Sequence, residues 1–109
     1  MSARVIVSPE AEAQIRAIDR WWRENRTAAP ELFAQELSHA SATLEAMPFA
    51  GRAVPHPELK TVRRILLRDS RYHLYYVAAE GRVVVVSVWS AVKGTGPDLR
   101  NLSPHDDVL

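Results

Sequence analysis

Arg63, Arg64, Arg68 and Arg71 crowd one short stretch of the chain, and His73, Tyr75, Trp89 and Lys93 follow them. Guanidinium groups are permanently charged, forked donors that grip phosphates or carboxylates, so such a cluster suits nucleic acid or an acidic protein surface. Histidine titrates near neutral pH, and tyrosine, tryptophan and histidine rings stack on bases. Contact with a target or with nucleic acid is therefore expected from Arg63, Arg64, Arg68, Arg71, His73, Tyr75, Trp89 and Lys93. The bland alternative is that the arginines solvate a strand end, Arg68 and Arg71 pairing with Asp69 or Asp98. For His73 and Tyr75 it is a polar outer sheet face with no chemistry.

Other chemistries find little support. The chain has no cysteine, which excludes disulfides, thiolate catalysis and cysteine-ligated metals. His39, His56, His73 and His105 lack metal-ligand spacing, so neither metal nor cofactor is expected. Lys93-Gly94-Thr95-Gly96 lacks the upstream glycine of a phosphate loop and precedes no helical pattern. No Ser-His-Asp order stands out, and Asp106-Asp107 sits in an irregular tail.

The elements that must position the arginines read clearly. Val62 to Leu67, Tyr72 to Ala78 and Val83 to Trp89 are three strand signals, separated by Asp69-Ser70 and Glu80-Gly81. Connections this short make hairpins, so an antiparallel meander is expected. Upstream, Arg4 to Val7 is a short strand that stops at Ser8-Pro9, a good helix cap followed by a proline suited to the first turn. Ala11, Ile15, Ile18 and Trp22 then recur at helical spacing. A second helix is expected to begin near Thr27 to Pro30, with Phe33, Leu37, Ala40, Leu44 and Met47 as its stripe, and to end at Met47-Pro48. Phe49 to Lys60 reads as an exposed loop. The order predicts an α+β, two-layer sandwich: an N-terminal strand, an antiparallel helical hairpin and a three-stranded antiparallel meander, with the first strand pairing onto the meander.

Alternation puts Arg63 and Arg64 on opposite faces. It also separates His73, Tyr75 and Val77 from Tyr72, Leu74, Tyr76 and Ala78. The second set is expected beneath the helices and the first open to solvent or a partner, although a slip of one residue reverses the assignment. Trp22 fits the stripe of the first helix, which leaves Trp21 as the exposed aromatic, lying over a loop or at a protein interface.

The 109 residues suit a single domain, 1–109, with an irregular tail from about 94. Hydrophobic residues make up 47% and charged residues 25%, which excludes a disordered chain. The net charge is only +1, so attraction of the whole chain to nucleic acid is weak. Acidic residues nevertheless gather in the helical half, and Arg63, Arg64, Arg68, Arg71 and Arg82 in the sheet half. No apolar run reaches the roughly 20 residues of a membrane helix, and the start MSARVIVSPEAEAQ lacks a signal-peptide core, so a cytoplasmic protein is expected.

VIVSPEAEAQI, LEAMPFAGR, VRRILLRDSRYHLYYV and VVVVSVW, in that order over residues 4 to about 93, resemble the RelE/ParE superfamily of type II toxin-antitoxin toxins. The resemblance implies the fold just described and a growth-inhibiting toxin of the plasmid-stabilisation kind. It implies a cognate antitoxin whose C-terminal segment wraps the toxin, meeting Trp21, Phe33 and Leu37, with DNA contacted only through that antitoxin. RelE-like members cleave mRNA on the ribosome, and there Arg68, Arg71 and Lys93 would be the catalytic candidates. ParE-like members poison DNA gyrase by protein contact. Lys93 alone stands where the RelE branch usually has several basic residues, no tyrosine follows it, and Ser90 occupies a position where many members have histidine. The long helical hairpin and Pro48-x-x-Gly51 resemble the ParE branch better. A gyrase inhibitor is thus expected, with a ribosome-dependent mRNA endoribonuclease and a non-toxic binding relative as the alternatives.

Overall fold

The computed structural model describes residues 2–55, 62–92 and 97. Its elements are β1 (Arg4–Val7), α1 (Pro9–Asn25), α2 (Leu32–Ala46), β2 (Arg52–Ala53), β3 (Val62–Leu67), β4 (Tyr72–Ala79) and β5 (Arg82–Ser90). The five strands form one sheet in the order β1-β5-β4-β3-β2, with β1 parallel to β5 and the other pairs antiparallel. This is the expected α+β arrangement with one strand more.

Ser8 starts α1 as its side chain accepts from the Ala11 N–H, and Pro9, Glu10 and Glu12 fill the first turn. The second helix starts later than its sequence suggests. Proline disfavours helical backbone in the residue before it, here Ala29, so residues 27–31 make turns and bends instead of a first helical turn. Glu31 precedes α2 without a side-chain capping bond. At the other end Met47 leaves helical geometry and is exposed, so the buried stripe stops at Leu44.

The helices cover one sheet face. Ala11, Trp22, Phe33, Ala40 and Leu44 pack there on Leu67, Leu74, Tyr76, Ala78, Val83, Val85 and Val88. Phe33 is fully buried, edge-on to Tyr72 with ring centroids 5.3 Å apart. It belongs to the core, as its place in the helical stripe predicts, which corrects its assignment to the antitoxin interface. Leu37 packs half-buried against the same core, while Trp21 stays 43% exposed.

A bulge sets the faces of β5. Tyr75 pairs with Ser87 but Tyr76 with Val85, so Val86 is an extra residue. Val88 thereby returns to the helix-covered face at odd spacing from Val85, whereas Val84 and Val86 join Tyr75 in a second cluster on the opposite face.

The stretch expected as an exposed loop is partly built into the sheet, since Arg52–Ala53 pairs with Arg63 and Arg64 of β3. The cause is Gly51, which is buried. Its N–H donates to the Tyr76 hydroxyl at 2.8 Å and its carbonyl accepts from Arg63 at 2.8 Å. A Cβ on Gly51 would meet the Tyr76 hydroxyl and the Arg64 carbonyl oxygen at 2.6 Å. Only glycine lets the chain approach so closely.

Candidate functional site

The cross-strand register decides which arginines share a surface. Arg63 pairs with Tyr76 and so lies on the helix side. Its guanidinium also donates to the Phe49 carbonyl at 3.3 Å and sits 5.2 Å from the Phe49 ring centre. Arg63 is therefore committed to holding residues 49–51, a correction to its grouping with the contact arginines.

Arg64 faces the other way. It lies directly opposite Arg52 on β2 and Tyr75 on β4, and one of its nitrogens is a long 3.5 Å from the Tyr75 hydroxyl. In the next row Leu66 pairs with His73, and His73 with Trp89. Arg52, Arg64, Leu66 and His73, with Ala50 and Gly51, line one open cleft of about 370 Å³. Leu66 is 46% exposed. Two like charges facing each other across strands repel, and among the described residues no carboxylate pairs with either. The arrangement suits an acidic partner that brings an apolar group to Leu66.

Tyr75 is not the open ring expected. It is 4% exposed and packs with Val84 and Val86, flanked by Ile6, Val54, Val77 and Trp89. This face is thus apolar beneath its cationic rim, because the bulged β5 supplies valines to both sides.

His73 is half-buried, its ring edge-on to Tyr75 at 6.1 Å. Burial, and then the positive charge of Arg64, hold its pKa below the ordinary histidine value. The neutral form is favoured on folding, so this contribution to stability is present above the unfolded pKa of about 6.5 and is lost as pH falls through the folded value. We expect the melting temperature to fall between pH 7.5 and 5, and His73→Gln to flatten that slope. A slope identical in the variant would refute the assignment.

Arg68 and Arg71 project from the β3–β4 turn, both exposed, and among the described residues neither makes an ion pair, Asp69 included. They sit at the end of the sheet, outside the Arg64 cleft. Trp89 lies half-buried at the end of β5, near Trp21 across a groove of about 470 Å³ between α1 and β5. Lys93 and Asp98 lie outside the described residues. The structure adds Arg52, Leu66 and Glu36, which sequence reading passed over; the only signal was that Arg52 follows the glycine of Pro48-x-x-Gly51. Among the described residues no group of acidic and histidine side chains could hold a metal, and no helix is long and apolar enough to cross a membrane.

These features define a small α+β protein with a helical pair on one sheet face and a cationic, partly apolar surface on the other. The sequence pattern of the ParE toxin of type II toxin-antitoxin systems, parDE, matches residues 5–93. The chain belongs to that family. A solved structure titled "Chromosomal ParDE TA system from P. aeruginosa" superposes with a TM-score of 0.61, covering 82% of this chain and 96% of that one at 15% identity. At that identity the likeness speaks for the fold alone. No curated protein sequence matches.

Proposed function

We propose that this protein arrests growth by poisoning DNA gyrase through protein contact, acting in the cytoplasm as a single domain, and that a cognate antitoxin neutralises it. The observation that carries this reading is the Arg52-Arg64-Leu66-His73 cleft, which offers uncompensated positive charge around an exposed leucine. Charge without a partner and apolar surface together favour docking on an acidic protein. Trp21 supports the antitoxin: it is large and exposed, with the Arg26 guanidinium 4.9 Å from its ring centre, beside the groove that Trp89 shares. DNA is then contacted through the antitoxin alone.

One observation favours the ribonuclease alternative. Burial and the Arg64 charge lower the His73 pKa, which favours the neutral imidazole that a general base needs. Arg68, Arg71 and Lys93 would then be the cationic helpers.

The two readings separate on purified components. The protein is expected to inhibit gyrase supercoiling, or to stabilise gyrase-cleaved DNA, while leaving ribosome-bound mRNA uncut. Arg64→Ala should raise the inhibitory concentration about ten-fold, equivalent to about 1.4 kcal/mol. Its melting temperature should hold or rise slightly, because the repulsion from Arg52 is removed. Cuts in translated mRNA with gyrase unaffected would overturn the gyrase reading.

A further inference from the structure

The turn that carries Arg68 and Arg71 is fastened to a helix. Glu36, on α2, accepts the Asp69 N–H on one carboxylate oxygen and the Ser70 N–H on the other, each at 2.8 Å. Those are the two residues between the arginines. A turn of this composition can satisfy its own amides with an Asp or Ser side chain. Here the acceptor instead comes from another element, more than thirty residues away in sequence.

Two further features fix the same turn. Arg71 has φ +66°, a left-handed conformation that is unfavourable by about 1–2 kcal/mol for a residue with a Cβ. Its N–H donates to the Leu67 carbonyl at 2.9 Å, and its carbonyl accepts from Ala91 at 2.8 Å. A glycine there would be unstrained, yet the position holds a guanidinium that makes no ion pair among the described residues. Backbone strain kept for the sake of an exposed cation points to use of that cation. Arg68 and Glu36 also border one groove, between α2 and β3.

We propose that Glu36 is the positioning residue for a second contact point, the Arg68/Arg71 turn, clamping its backbone so that both guanidiniums meet an anionic group of the target. The inference rests on the reading of this protein as a toxin that acts by surface contact. Glu36 touches no target itself; it acts through the turn.

The test uses the full-length protein as wild type, Glu36→Gln, Glu36→Ala, Arg68→Ala and Glu36→Ala/Arg68→Ala, each scored by amide exchange, gyrase inhibition and growth arrest on expression. Glu36→Gln keeps one acceptor oxygen and guards against an unfolded alanine variant. Expected are faster exchange at Asp69 and Ser70 with unchanged exchange at Leu74 and Val85, and inhibition weakened about ten-fold in Glu36→Ala and less in Glu36→Gln. The double variant should be weaker than Arg68→Ala by less than Glu36→Ala is weaker than wild type, because only Arg71 is then left for the clamp to place and residues acting through one another are not additive. Full potency with a freed turn, unchanged exchange at the turn, or additive losses would each overturn the proposal. A wild type that arrests growth without affecting gyrase refutes the gyrase reading and leaves the clamp to be judged on growth arrest. A wild type inert in both assays overturns both.

Discussion

Phe33→Ala is expected to destabilise the protein by about 3–5 kcal/mol, the largest effect of any substitution considered, because it empties a fully buried aromatic site between α2 and the sheet. The edge-on contact with Tyr72 disappears with the ring. In a chain of this size the melting temperature should drop by roughly 15 °C or more. Trp21→Ala is the matched control. Trp21 is 43% exposed and loses its contact with Arg26, a cation-π interaction of about 0.5–1 kcal/mol at exposed sites, together with its edge-on contact with Trp22 at 6.0 Å. Thermal melts of the two variants, followed by binding to the antitoxin, separate packing from recognition. A stable Trp21→Ala protein that no longer binds would place Trp21 at the interface, whereas a Phe33→Ala protein as stable as wild type would contradict the packing of α2.

Gly51→Ala is expected to follow, at about 1–3 kcal/mol for the overpacking. The new Cβ would meet the Arg64 carbonyl oxygen and the Tyr76 hydroxyl at 2.6 Å and Tyr76 Cε1 at 2.9 Å. If the backbone retreats, the buried Gly51 N–H to Tyr76 bond goes too, at about 1–3 kcal/mol for a buried polar group left unpaired. Residues 50–52 line the Arg64 cleft, so inhibition should weaken along with stability. Gly81→Ala makes the contrast, since nothing lies within 4 Å of its Cβ and only the cost of φ +73° applies, about 1–2 kcal/mol. Chemical denaturation reads both. In a Tyr76→Phe background part of the Gly51→Ala loss should be recovered, since one of the two closest clashes is gone; strictly additive losses would show that Tyr76 is not what confines Gly51.

The acid end of the stability profile belongs to Glu36. Burial pushes its carboxyl up, but the polar Ser70 side chain nearby and the hydrogen bonds donated by the Asp69 and Ser70 amides outweigh that and leave it below the ordinary value. Its contribution is therefore held above the unfolded pKa of about 4.3 and lost as pH falls through the folded one, a window separate from that of His73.

Much of this was legible in the chain. Ser8-Pro9 fixes the start of α1, because capping depends on residues adjacent in sequence. The alternation through Tyr72–Ala78 gave the helix-covered face of β4, because a strand's two-residue period is local. Trp22 over Trp21 as the buried indole followed from helical spacing in the same way. The resemblance carried by Pro48-x-x-Gly51 and by the arginine-tyrosine meander led to the ParE family. Tertiary structure alone decided the rest. The bulge at Val86 redistributes the valines of β5 and buries Tyr75, and no local signal marks it in a run of identical side chains. That Arg63 braces Gly51 while Arg64 faces Arg52 depends on a strand of two residues, too short for any periodicity to reveal. The Glu36 clamp joins positions more than thirty residues apart, and a pairing of that range comes into being only when α2 docks on the sheet.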